Sequence, residues 1–229
     1  MMKRLGVNLQ KLAEGAIPVR DMLKEVNHEV GCMEEGALKA LKAKVYSRIV
    51  EYIRIEGFPL EANPGFMEVN VNDLVLYILG PIILDFQNVT GREIQLRREM
   101  ELIAPDSETG GYEEFVVVDT ISTACQSFVF IIESKRTTLI HAISQCLLAM
   151  YDIYHTNAEG KIYGFVTMGE QWRMVSYDGE KFQMTDTFLV LFGAMRQQKG
   201  RWMEDFSVIV ECILVALDSG GIVRKNGVV

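Results

Sequence analysis

The spacing of apolar residues first changes near residue 91, and that change limits the folds open to this chain. Before it, Ala37, Leu38, Leu41, Val45, Ile49 and Ile53 recur at steps of three and four, with Lys39, Lys42, Lys44 and Arg48 between them. That is the stripe of an amphipathic helix. Gly57 and Pro59 stop it, and a second helix is expected from about 70 to 87, kinked at Gly80-Pro81. After residue 91 the apolar positions fall on even numbers, from Ile94 through Leu96 and Met100 to Leu102. Period two is the signature of a half-buried strand.

Two later runs, Phe115–Val118 and Phe128–Ile132, are almost continuously apolar, so both faces of those strands are expected to be covered. Thr137 or Thr138 can cap a helix reaching about Tyr154, its buried face marked by Ile140, Ile143, Leu147, Met150 and Tyr154. Strands at 162–168 and 172–177 follow, closed by Asp178-Gly179, and helices are expected near 188–197 and 203–217. The order predicts an α/β fold: a mixed central sheet with helices on both faces and an N-terminal helical extension. We divide the chain into that extension, 1–65, and a main domain, 66–229.

With 49% hydrophobic and 24% charged residues, the chain has enough apolar side chains for a core. The formal net charge of -8 excludes whole-chain electrostatic capture of nucleic acid; any phosphate contact must come from a local basic patch. The four scattered cysteines, without a CxxC pair, read as reduced thiols of an intracellular protein, cytoplasmic or nuclear. Charged residues break the start of the chain before a signal-peptide core can form. The longest apolar run, Leu74–Leu84, is short of the roughly 20 residues that a membrane span needs, so no membrane association is expected. His28, His141 and His155 lack the spacing of a zinc site.

The informative stretch runs from Asp119 to Lys135. In the third strand, Val129, Ile131, Glu133 and Lys135 share a face. If this strand pairs with the preceding one through a three-residue loop, Cys125-Gln126-Ser127, Asp119 falls directly opposite Glu133. Two opposed carboxylates at the ends of apolar strands are costly without a counter-charge. An oxygen-only pair suits Mg²⁺ or Mn²⁺ better than zinc. The plainer alternative is a local ion pair between Glu133 and Lys135.

Asp119, then Glu133-Ser134-Lys135 closing an apolar strand, then a helix and another strand pair, resembles the PD-(D/E)XK nuclease superfamily over residues 66–180. More narrowly, Arg97-Arg98-Glu99, Glu114 to Asp119, Ile132 to Arg136, Gln145 to Leu148 and Tyr163 to Thr167 are similar to nuclease-like domains of fungal proteins of Crinkler-associated type. The resemblance implies a restriction-endonuclease-like sheet and a Mg²⁺- or Mn²⁺-dependent hydrolase cutting phosphodiester bonds of DNA or RNA. It implies Asp119 and Glu133 as metal ligands, with the Ser134 carbonyl and Glu68 as further ones. It implies Lys135 as the group that positions the attacking water and Gln145 as a catalytic or substrate-contacting residue.

Arg98 and Arg136 are candidate phosphate contacts, with Arg97 and Arg173 behind them. Trp172 is a base-stacking candidate that reads more naturally as core. Val118 rather than Pro precedes Asp119, and a literal Pro105-Asp106 ranks second. The rival function is a nuclease-derived binding module that has lost turnover, which the acidic balance favours. The N-terminal helices are expected to pack on the core, or to hold a second copy or a partner protein.

Overall fold

The computed structural model describes residues 7–25, 33–59, 65–103, 110–122, 125–135, 139–157 and 160–220. Arg136, the capping pair Thr137 and Thr138, the Pro105-Asp106 dipeptide and Cys32 lie outside the described residues. The chain is a mixed α/β protein. Three helices, α1 (Leu9–Glu14), α2 (Val19–Glu25) and α3 (Glu35–Glu56), precede a long fourth, α4 (Glu68–Thr90). Three strands follow, β1 (Ile94–Ile103), β2 (Gly110–Ser122) and β3 (Cys125–Ser134). Helix α5 (Leu139–Thr156) leads to β4 (Ile162–Thr167), β5 (Gln171–Tyr177), β6 (Phe182–Met184) and β7 (Phe188–Leu189). The last long helix is α6 (Val208–Ser219).

The described residues form a seven-stranded sheet in the order β1-β2-β3-β4-β5-β6, with β7 also on β5. Strands β1, β2 and β3 make an antiparallel meander; α5 then carries the chain over so that β4 lies parallel to β3. The remaining pairings are antiparallel. The expected mixed sheet is present. Both faces of β2 and β3 are covered: Phe115–Val118 and Val129–Ile132 are all buried.

Helices α3, α4 and α6 pack on one face, where Leu74, Ile78 and Ile82 of α4 meet Phe115, Phe130 and Phe165. Helix α5 packs on the other face, where Cys146, Leu147 and Met150 meet Val116, Ile131 and Val166. Ile140, expected on the buried side of α5, is 63% exposed. Gly164 lets α5 seat on β4, since a Cβ there would stand 2.5 Å from the sulfurs of Cys146 and Met150. Cys146 and Cys212 are buried thiols that form no disulfide.

Helix α4 is the central element. Its apolar residues repeat from Val71 to Phe86 at helical spacing. It ends at Gly91, whose φ of 69° accommodates the left-handed cap and whose N–H donates to the Gln87 carbonyl. It runs unbroken through Gly80 and Pro81, although Pro81 has no N–H to give to the preceding turn. By length and composition it is apolar enough to cross a membrane, which the run Leu74–Leu84 alone did not suggest. Here ten of its residues are buried in the protein's own core.

The N-terminal extension is not a separate body. Met22, Leu41, Val45, Ile49 and Ile53 join the same apolar cluster as α4 and α6. The apolar face expected to pack on the core, or on a second copy or partner, lies against this chain's own core. Its basic residues are also engaged: Lys42 pairs with Glu211, Lys44 with Asp85 and Arg48 with Glu51.

The helix expected at 188–197 is absent. Phe188–Leu189 pairs with β5, and the Val190 N–H donates to the Glu170 carbonyl, before a 3₁₀ turn at Met195–Gln197. The apolar run there is contiguous rather than spaced by three and four, and its backbone finds partners along the sheet. At the β5–β6 turn, Gly179 has φ 97°, and a Cβ on it would collide with the Tyr154 ring and hydroxyl. Gly179→Ala should lower stability by about 1–2 kcal/mol in a urea melt; an unchanged midpoint would show that Tyr154 gives way freely.

Candidate functional site

Lys135 follows directly on β3, and its backbone N–H donates to the Thr167 carbonyl at the end of β4, 2.9 Å away. That bond fixes where its side chain begins. The ammonium then gathers carboxylates from three elements. It lies 2.8 Å from Glu133 on β3, 3.1 Å from Glu68 on the first turn of α4 and 3.5 Å from Glu114 on β2.

Glu133 is fully buried, Glu114 and Lys135 are largely so, and Glu68 opens to solvent. Burial alone would lower the Lys135 pKa. The hydrogen bond and charge of Glu133, followed by those of Glu68, outweigh it and hold the ammonium above its ordinary range.

Asn72 ties the group to α4. It stands one turn after Glu68 and is buried. Its amide donates to Glu114 Oε2 at 2.6 Å, and its carbonyl oxygen accepts from the Ser134 hydroxyl. The Glu114 carboxylate is therefore held in place by a neutral amide as well as by Lys135. Next to it on α4, Asp73 faces the Arg98 guanidinium at 3.5 Å, and Arg98 also lies over the Phe115 ring.

Asp119 does not belong here. The strand register pairs it with Ser127, and the register Phe115 to Ile132 brings Glu114, not Asp119, beside Glu133. Ser127 is six residues from Glu133 along the same strand, roughly 20 Å in extended chain. Cys125 already pairs with Ser122, so Cys125-Gln126-Ser127 is strand rather than loop. A bulge between Val117 and Val118 shifts the register further. Asp119 instead accepts from Arg92 at 2.8 Å, and Arg92 also donates to the Leu217 carbonyl at the end of α6. The pair clamps the meander to the last helix at the far end of the hairpin.

Of the other candidates, Gln145 is half-buried and His141 exposed on α5. Arg173 donates to the Thr187 hydroxyl. Trp172 is fully buried and its indole N–H donates to the Gly169 carbonyl, so it has no face for a base. A cleft of about 400 Å³ opens elsewhere, among Lys11, Tyr151, Tyr177 and Lys181. Polar convergence, not concavity, marks the site around Lys135.

Sequence reasoning missed Glu114 and Asn72. The signal for Glu114 was present: it opens the run Phe115–Val118 as Glu133 closes Phe128–Ile132. In an antiparallel pair the polar residue before one apolar run faces the polar residue after the next. Asn72 carried only its spacing of four from Glu68.

Among the described residues no group of three histidine, cysteine or acidic side chains has the arrangement of a metal-binding set as it stands; the carboxylates surround an ammonium instead. Their chemistry nonetheless fits a hard divalent cation. The donors are all oxygen, and three carboxylates against one ammonium leave a formal surplus of two negative charges. Comparison with known proteins finds no matching family model and no significant match among curated proteins or solved structures.

Proposed function

We propose that the chain is a divalent-cation-dependent nuclease, hydrolysing phosphodiester bonds of DNA or RNA on a restriction-endonuclease-like core. The observation that carries this reading is the meeting of Glu68, Glu114 and Glu133 at Lys135, each from a different element. The element order supports it: a helix, a three-strand antiparallel meander, a crossover helix and a strand parallel to the third. In that frame the acidic residues stand on the helix, the second strand and the end of the third, as the PD-(D/E)XK resemblance implies, with Glu114 in the role first given to Asp119.

Glu114 and Glu133, with Glu68 and the Ser134 carbonyl, would hold Mg²⁺ or Mn²⁺. A cation so held supplies a polarised phosphoryl oxygen and an acidified water. The chain's own groups do the rest. Asn72 fixes the Glu114 carboxylate, so its direction is set before substrate arrives. Lys135 orients water and offsets charge developing on phosphate. Arg98 stands beside α4 and can take a phosphate oxygen when it leaves Asp73. The net charge of -8 favours a second reading, an interaction module of the same fold without turnover.

Cleavage assays at low salt decide between them. Purified protein should cut single- or double-stranded DNA or RNA with Mg²⁺ or Mn²⁺ and stop with EDTA. Glu133→Gln should lower the rate by on the order of 10²–10³. Inactivity toward all four substrates, with Mn²⁺ bound, would favour the module.

A further inference from the structure

The three contacts of Lys135 bear on how the site is controlled. An ammonium has three hydrogens; here it donates to Glu68 at 3.1 Å and is held in ion-pair contact with Glu133 at 2.8 Å and Glu114 at 3.5 Å, so it faces carboxylates on three sides. A lysine that orients an attacking water needs a hydrogen free for it. One position of the side chain cannot serve both tasks. The carboxylates have a matching difficulty: without the ammonium, Glu133, fully buried, would face Glu114 with no counter-charge.

We infer that Lys135 is the resident counter-ion of this site, and that a divalent cation is admitted only by displacing its ammonium from the carboxylates. The inference rests on the cation-dependent reading proposed above. Cation binding is opposed by the loss of three charge-assisted contacts and by repulsion between the cation and a nearby ammonium. The site therefore binds the ion more weakly than its three carboxylates alone would. Lysine suits such a role better than arginine, because a compact charge on a four-carbon stem can swing aside. Its 21% exposure leaves it a path to solvent. The event that seats the cation also frees the ammonium for water, so the chemistry is armed only when the ion is present.

The test is a calorimetric titration with Mn²⁺ alone, with free Mn²⁺ followed by electron paramagnetic resonance, on wild type, Lys135→Met and Lys135→Arg. Lys135→Met should bind Mn²⁺ with a Kd at least about tenfold lower than wild type, and Lys135→Arg should gain nothing. Equal or weaker binding by Lys135→Met, with wild type binding normally, overturns the inference and leaves the cation reading standing. Binding by neither protein overturns the cation reading, and this inference with it.

Removing the ammonium strips buried Glu133 of its partner, a change that can prevent folding. In that case the wild type decides. Titration with Mg²⁺ should move the Lys135 Cε resonance toward that of a solvated lysine. A resonance unmoved at cation saturation overturns the inference.

Discussion

Glu114→Gln should reduce cation-dependent cleavage by about 10²–10³, while Asp119→Asn leaves it near the wild-type rate. Glutamine keeps the shape of Glu114 and can still accept from the Asn72 amide, so packing and the 2.6 Å contact survive. What goes is one negative charge beside Glu133 and Lys135. In a site of three carboxylates that loss falls on the charge available to hold a cation. Asp119 lies at the other end of the hairpin, bound to Arg92. Its replacement by Asn weakens a largely buried ion pair and should cost about 1 kcal/mol of stability, seen as a lower melting temperature by circular dichroism. Steady-state cleavage and a thermal melt on each variant separate the two effects. If Asp119→Asn abolished cleavage at unchanged stability, the chemistry would belong to Asp119, and the convergence on Lys135 would be structural only.

The contrast between these carboxylates shows what the sequence could and could not convey. Glu133 and Lys135 were legible from a local rule, and Glu68 only from the family resemblance. The first two are fixed by alternation along one strand; the third stands on the first turn of α4, two residues before the helix start expected from the sequence. Asp119 was misassigned because its partner depends on where a hairpin turns, a non-local fact. The polar triplet Cys125-Gln126-Ser127 resembles a loop but belongs to β3, where Cys125 already pairs with Ser122. An error of a few residues at the turn moves every cross-strand pair along the ladder. Arg92 illustrates the same limit. Nothing in its neighbourhood predicts a hydrogen bond to Leu217, 125 residues away.

The helix expected at 188–197 failed for a related reason, and it leads to a large expected effect on stability. Trp202→Ala should lower the unfolding free energy by about 3–5 kcal/mol. Trp202 has no exposed surface. Its indole N–H donates to the Val190 carbonyl at 2.8 Å, and its ring lies 5.6 Å from that of Tyr46 on α3. Tyr46 in turn donates to the Met195 carbonyl at 2.7 Å. The irregular segment after β7 is thus held by side chains from both sides as well as by the few bonds of its own short turns. Truncating Trp202 opens a large cavity and leaves a buried carbonyl without its donor, and the two costs fall on the same place. Trp202→Phe keeps most of the volume and loses the hydrogen bond, so it should cost about 1–2 kcal/mol. Urea denaturation followed by far-ultraviolet circular dichroism measures both without relying on tryptophan fluorescence. If Trp202→Ala cost no more than Trp202→Phe, the ring would not fill the core there, and the segment 190–202 would owe its place to the Tyr46 hydroxyl and to backbone bonds.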